Sequence, residues 1–432
     1  MEKYNTKEEY ISELEKRGKL PEGFRTAVLP LSFFPAERPV EKPLPMKMSL
    51  LMLDKPTSVF GAVFTRNKCP GAPVILGKER LSSGMIRGVL VNNKIANVCI
   101  ESGLRDSLAL LEKLASETGT SPDEYFPSST GIIGWRLPVK EMEENIPALI
   151  ESLEGGSALN LAKGIMTTDS FPKLRSAEVG EGRIVAVAKG AGMIEPNMAT
   201  MLSYIMTDVE IERDTLRQIL KRVVEKTYNC ISVDSDQSTS DTAVILSSCI
   251  KPAVSPEVFE AALLKVCSDI AQDIVRNAEG TGHVIKVNVE GASDFETARS
   301  IGKAVVNSPL VTTAIFGNDP NVGRILSSLG DYAGNNSLEL DTASDAESLS
   351  ISLGGEVVFE KGSFRLDQEK EVRLSEYLKS RMLDSEKKEF PAHDLTVDIN
   401  IRLGNSGGSG SALVYGSDLS YSYVRENADY RS

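Results

Sequence analysis

The chain has 432 residues, with 48 lysines and arginines against 61 aspartates and glutamates, a formal charge of −13 at neutral pH. That acidic balance argues against nucleic acid or an anionic membrane as the main partner, because both call for a basic footprint. Only two histidines are present, His283 and His393, which leaves little room for a multi-histidine metal site or a Ser-His-Asp arrangement. An enzyme built on this chain must find its base elsewhere. The cysteines Cys69, Cys99, Cys230, Cys249 and Cys267 are widely spaced, odd in number and free of any C-x-x-C pair. They read as reduced, mostly buried thiols, and no metal site is expected.

At roughly 150 residues per domain the length allows two or three domains. In chain order, residues 6–18 read as a short charged helix, stopped by Pro21-Glu22-Gly23. This N-terminus lacks the apolar run of a signal peptide, and no segment approaches the ~18–20 apolar residues of a membrane span. A soluble, cytoplasmic protein is expected. From 25 to 100 the text is interrupted and strand-like, clearest at 49–55, 58–67 and 86–93. Residues 106–117 and 140–155 space their apolar positions as amphipathic helices. Strands are expected at 184–190 and 200–211, long helices at 213–228 and 255–278, and two strands around a polar loop within 230–248. Residues 284–291 alternate cleanly, as a half-buried strand does.

After Gly291 the pattern changes. A helix is expected at 295–308, residues 310–330 take no assigned element, strands follow up to about 366, and then come a charged helix at 371–383 and a strand at 395–403 before a Gly/Ser-rich turn. The soft boundary near 292 gives an N-terminal extension (1–22), a main α/β domain (23–291) and a smaller C-terminal α/β domain (292–432). Strands and helices mix without a regular βαβα beat, which favours a layered α/β sandwich over a doubly wound sheet.

The most glycine-rich stretch, residues 404–410, matches neither a P-loop nor G-x-G-x-x-G and reads as a turn. Gly190-Ala191-Gly192 follows a strand but lacks a third glycine, and Pro196 opposes the helix a dinucleotide turn must open. Local physics reads residues 186–202 as a tight connection between two core strands. The same string, from Lys189 through Gly190-Ala191-Gly192-Met193-Ile194 and Pro196-Asn197-Met198-Ala199-Thr200-Met201-Leu202, closely resembles the self-cleaving site of the ornithine acetyltransferase (glutamate N-acetyltransferase, ArgJ) family.

The resemblance continues in order along the chain. It covers Ser129-Thr130-Gly131-Ile132-Ile133-Gly134, Met166-Thr167-Thr168-Asp169-Ser170-Phe171-Pro172-Lys173, the run from Ser232-Val233-Asp234 to Thr239-Ser240-Asp241-Thr242, and Gly317-Asn318-Asp319-Pro320-Asn321-Val322-Gly323-Arg324. The ending Asn427-Ala428-Asp429-Tyr430-Arg431-Ser432 is close to the family's, with Ser for Thr. Two departures stand out. Lys94-Ile95 replaces a glycine and an asparagine, so that loop is expected to differ. Glu279-Gly280-Thr281-Gly282-His283 keeps the family's acid but loses its lysine. His283 is expected beside the pocket without being the base.

The resemblance implies self-cleavage between Ala199 and Thr200, an α and a β chain, and an α2β2 heterotetramer. Thr200 would then be an N-terminal nucleophile whose own α-amine, with a reference pKa of ~7.7–8.0, serves as its base. This route needs no histidine. By the same resemblance Thr130 and Gly131 form the oxyanion hole, and Thr167, Lys189, Thr200, Glu279, Asn427 and Ser432 bind substrate. The implied reaction moves acetyl from N-acetylornithine to glutamate in arginine biosynthesis. No cofactor is implied, and acetyl-CoA enters only as an alternative acetyl donor. The competing enzyme readings are an N-terminal-nucleophile amidohydrolase or aminopeptidase, and a paralogue of altered acyl specificity. The non-enzyme reading, a degenerate relative acting only in interactions, is opposed by the intact 189–202 string.

Overall fold

A computed structural model describes residues 4, 6–195, 201–340, 349–383, 395–404 and 408–428. Its framework is three sheets with helices layered against them, a mixed α/β sandwich. The first sheet joins Phe24–Phe33, Leu44–Thr57, Ile86–Asn92 and Tyr125–Ser129 in that order. The second runs Phe60–Phe64, Thr242–Lys251, Leu202–Val209, Gly182–Lys189, Lys173–Val179.

These two sheets stack face to face. Leu51, Val89, Val91 and Phe126 of the first pack against Val185, Val187, Tyr204 and Val244 of the second. The pattern follows from period-2 alternation, with both faces apolar in the central strands because both are covered. The outer face of the second sheet (Ile184, Ala186, Ile205) is covered by the helices Arg213–Lys226 and Pro256–Arg276. The outer face of the first (Met48, Leu50, Leu90) is covered by Gly103–Thr118 and Val139–Glu151. The helix ends follow local chemistry. Ser255 accepts the Val258 N–H ahead of Pro256, and Gly119, at φ 66°, closes Gly103–Thr118.

The third sheet runs Ser363–Phe364, Glu356–Glu360, Ser350–Leu353, Val397–Arg402, Val284–Ala292, Gly410–Ser417, Ile231–Ser232. The alternation read at 284–291 places Val284–Ala292 in its middle, parallel to Val397–Arg402 and antiparallel to Gly410–Ser417. The edge strand Ile231–Ser232 comes from far upstream and joins this sheet to the main body. Phe295–Val306, Val322–Asn335 and Gln368–Arg381 supply helical residues to its core.

Several elements were not expected from sequence, among them the helices Leu159–Gly164, Pro309–Phe316 and Val322–Asn335. Residues 72–80 fall inside the strand-like stretch yet form the helix Ala72–Arg80, entered through Gly71 and Pro73. Its short apolar run carries no strong period. The helix Tyr421–Ala428 buries no side chain fully, so it leaves no amphipathic signature.

Candidate active site

A cavity of about 310 Å³ opens where the strand ends of both sheets meet. In the second sheet Lys189 pairs with Leu202, and Leu202 with Thr242, so three strand ends stand side by side. From the first sheet Asn92 pairs with Ser129, and the chain passes directly into Thr130 and Gly131. The Tyr204 hydroxyl donates to Ser128 Oγ at 2.7 Å and ties the sheets together just below the cavity. Burial pushes this phenol's pKa up, so it stays a neutral donor.

The floor carries a positive charge. Lys189 Nζ donates to Thr130 Oγ1 at 2.9 Å and to Thr167 Oγ1 at 3.3 Å. Both partners are neutral, and among the described residues no carboxylate lies within 4.0 Å of this ammonium. The Thr130 N–H is committed to Asn92 O at 3.1 Å. Its hydroxyl oxygen accepts from Lys189, which leaves its own proton free to donate. Gly131 sits at φ 131°, and a Cβ there would lie 2.2 Å from the Lys94 carbonyl carbon. Only glycine allows so close an approach.

The opposite wall carries a negative charge. Glu279 is 7% exposed, its N–H donates to Ala191 O at 2.9 Å, and its Oε2 accepts from Asn427 Nδ2 at 2.9 Å. A Cβ at Gly192 would lie 2.3 Å from that same carboxylate, so the glycine makes room for the acid. The cavity therefore holds a lysine and a glutamate, each hydrogen-bonded only to neutral groups. That arrangement suits a ligand bearing both a carboxylate and an ammonium.

The turn between Lys189 and Ile194 is pinned at both ends by carboxylates. Asp169 Oδ1 accepts the Gly190 N–H at 2.8 Å, and Asp234 accepts the N–H groups of Met193 (2.6 Å) and Ile194 (2.8 Å). Met193 is held left-handed, at φ 55°. Burial pushes the Asp169 carboxyl upward, but Lys173, Lys189 and the Gly190 N–H outweigh it and hold the pKa at about 2. At Asp234 burial wins over its N–H donors and the pKa rises.

The C-terminal helix reaches the cavity through a second set of contacts. Ser420 Oγ donates to Gly280 O at 2.5 Å and accepts the Tyr423 N–H at 3.1 Å. Gly280, at φ 66°, would put a Cβ 2.2 Å from the Tyr423 nitrogen. His283 does not reach the pocket. It is fully buried, with Nδ1 2.8 Å from Asp418 Oδ2 and Nε2 3.2 Å from Leu378 O. Asp418 also accepts the Gly282 N–H at 2.7 Å, so this histidine braces the segment leading to the C-terminal helix.

Of the residues singled out from sequence, Thr130, Gly131, Thr167, Lys189, Glu279 and Asn427 all line this cavity. Met201, which follows Thr200 in the chain, lines it too. Ala199, Thr200 and Ser432 lie outside the described residues, as does His393. Lys94 adopts φ 71°, the left-handed region that favours glycine, despite its side chain. Sequence reading assigned no role to Asp169, Asp234 or Asp241, although each stands in a quoted motif. A charged residue inside a matched motif was the available signal.

The model of the ArgJ family matches residues 40–432. The arginine biosynthesis bifunctional protein ArgJ 2 of Clostridium acetobutylicum is 38% identical over 370 residues, covering 85% of this chain and 89% of that one. The glutamate N-acetyltransferase of Methanosarcina mazei is 36% identical over 398 residues, covering 90% and 95%. Among solved structures, the arginine biosynthesis bifunctional protein ArgJ of Bacillus halodurans matches with 34% identity and a TM-score of 0.45, over 54% of this chain and 100% of that one. By class, then, the protein is an acyltransferase. It belongs to the ArgJ family, whose members serve arginine biosynthesis.

Proposed function

We propose that this chain moves an acetyl group from N-acetylornithine to glutamate through an acetyl ester on Thr200. Self-cleavage at Ala199–Thr200 frees the α-amine of Thr200. That amine takes the hydroxyl proton as Oγ attacks the acetyl carbonyl. The C–N bond of the donor breaks, the amine returns the proton, and ornithine leaves. The α-amine of glutamate then attacks the ester, and Thr200 Oγ recovers its proton.

The observation that carries this reading is the opposed Lys189 and Glu279 in one cavity, beside the start of the strand that follows Thr200. Lys189 takes the substrate carboxylate, with Thr167 beside it. Glu279, oriented by Asn427, takes the side-chain ammonium. The free proton of the Thr130 hydroxyl supports an oxyanion role. So does the Gly131 N–H, which has no acceptor among the described residues. Donors placed where charge develops only in the tetrahedral intermediate raise kcat. Ser432 is assigned to the substrate by the family resemblance alone.

No resident cofactor or metal is needed. Acetyl-CoA can load the same acyl-threonine, and an adjoining chamber of about 990 Å³ that shares Gly131, Thr167 and Glu279 with the cavity offers room for a larger donor. The working particle is an α2β2 heterotetramer in the cytoplasm. Among the described residues no helix is long and apolar enough to cross a membrane.

The test is a transfer assay with purified protein, N-acetylornithine and glutamate. The expected products are ornithine and N-acetylglutamate in equal amounts. Release of free acetate at the same rate with and without glutamate would overturn the proposal in favour of a hydrolase.

A further inference from the structure

Behind the cavity wall runs a chain of buried polar groups that joins the three segments carrying Thr167, Lys189 and Glu279. Its centre is the ion pair between Lys173 and Asp169, both side chains wholly buried. Asp169 Oδ2 accepts the Thr167 N–H at 3.0 Å, and Oδ1 accepts the Gly190 N–H at 2.8 Å. The first bond fixes the turn that presents Thr167. The second fixes the residue after Lys189. Lys173 Nζ reaches on to Asn277 Oδ1 at 2.7 Å. Asn277 stands two residues before Glu279, whose N–H returns to Ala191 O at 2.9 Å. The loop of bonds closes through the 189–191 turn.

Each member is a group that is expensive to bury alone. A buried ion pair seldom adds net stability over apolar residues of the same volume, and its attested use is fixing one arrangement among several. Here the arrangement it fixes is the spacing of a cation and an anion across a cavity. The carboxylate is held at about 2 by its partners, so Asp169 stays charged throughout the neutral range, while burial pulls the Lys173 ammonium below its ordinary value against the pull of Asp169.

We propose that the Asp169–Lys173–Asn277 chain is a positioning device that sets the separation of Lys189 from Glu279, and through it the length of the amino acid accepted between them. This rests on the reading in which Lys189 takes the carboxylate and Glu279 the ammonium. A pocket that fits one chain length discriminates against one methylene more or less by ~10–200-fold. Relaxing the spacer lowers that ratio without removing any group that touches substrate.

The experiment compares kcat/KM for three acetyl donors with glutamate as acceptor: N-acetylornithine, N-acetyllysine (one methylene longer) and N-acetyl-2,4-diaminobutyrate (one shorter). It is run on wild type, on Asp169→Asn/Lys173→Met, and on Asn277→Ala. The double variant removes the two charges together, so no lone buried charge remains. Asn277→Ala leaves the ion pair whole and cuts only the link toward Glu279, and it decides the matter where the double variant does not fold. The expected result is a fall of about tenfold or more in the preference for N-acetylornithine in the folded variants, with most of the change in KM. A folded variant whose preference stays within about twofold of wild type overturns the spacer. If wild type itself fails to use N-acetylornithine, the underlying assignment of Lys189 and Glu279 falls first, and the spacer with it.

Discussion

Two concave regions of this molecule carry family motifs of similar length, and they differ in kind. The cavity between the two stacked sheets gathers Lys189 and Glu279 with only neutral hydrogen-bond partners. The second region, about 470 Å³ around Asp319, Pro320 and Asn321, lies against the helix Gln368–Arg381. Part of its motif braces its own fold. Arg324 Nη1 donates to Leu310 O at 2.7 Å, and the Ser375 hydroxyl donates to Asn318 O at 3.0 Å. Asn318 is held left-handed, at φ 56°, to make that turn. A motif whose arginine and backbone brace a turn shapes the chain, whereas one that sets a cation opposite an anion across a cavity is arranged for a ligand.

That contrast breaks most visibly at the nucleophile. Thr200→Ala is expected to abolish both chain cleavage and acetyl transfer, a loss of ~10⁴-fold or more. Retained transfer in that variant would remove Thr200 from the mechanism. Next comes Thr130→Val, which deletes one proposed oxyanion donor and should lower kcat by ~10²–10³-fold at nearly unchanged KM. Lys189→Met should act the other way round, mainly on KM, by ~10–100-fold, the worth of a charge-assisted hydrogen bond. A variant with unchanged KM for the carboxylate-bearing donor would remove Lys189 as its anchor.

Stability offers two smaller tests. The folded pKa of Asp169, about 2, lies below its ordinary value of 3.8. The carboxylate's contribution is therefore present above its ordinary value of 3.8 and is lost as pH falls toward 2. Urea midpoints measured across that window should drop more steeply for wild type than for Asp169→Asn/Lys173→Met. Equal slopes would show that this carboxylate is not the group titrating. In the second region, Arg324→Ala should cost about 1 kcal/mol of stability, as a hydrogen bond from a charged donor is lost at a half-exposed site. Transfer kinetics should stay as in wild type; a large fall in kcat/KM would make this turn part of the active site and erase the distinction drawn above.

Legibility in the sequence followed how local each signal was. The period-3.6 pattern at 213–228 became Arg213–Lys226, and the alternation at 284–291 became Val284–Ala292, because each buries one continuous face. Ala72–Arg80 was hidden by its brevity and Tyr421–Ala428 by its lack of a buried face. At the site, Thr130, Gly131, Thr167, Lys189, Glu279 and Asn427 were readable through their motifs, and the fold brings them to one cavity. Asp169 was not, because its partner Lys173 bonds Asn277, a residue 104 positions further along the chain. The buried fate of His283 was equally hidden, since Asp418 lies 135 positions away. Lys94 could not be read either: its side chain gives no sign of the left-handed angle the backbone adopts there.

The most direct measurement is the N-terminal sequence and intact mass of the purified, active protein. The account predicts two chains, of 199 and 233 residues, the second beginning with Thr200. A single intact chain of 432 residues that still transfers acetyl to glutamate would contradict it, because the threonine would then have no free amine to act as its base.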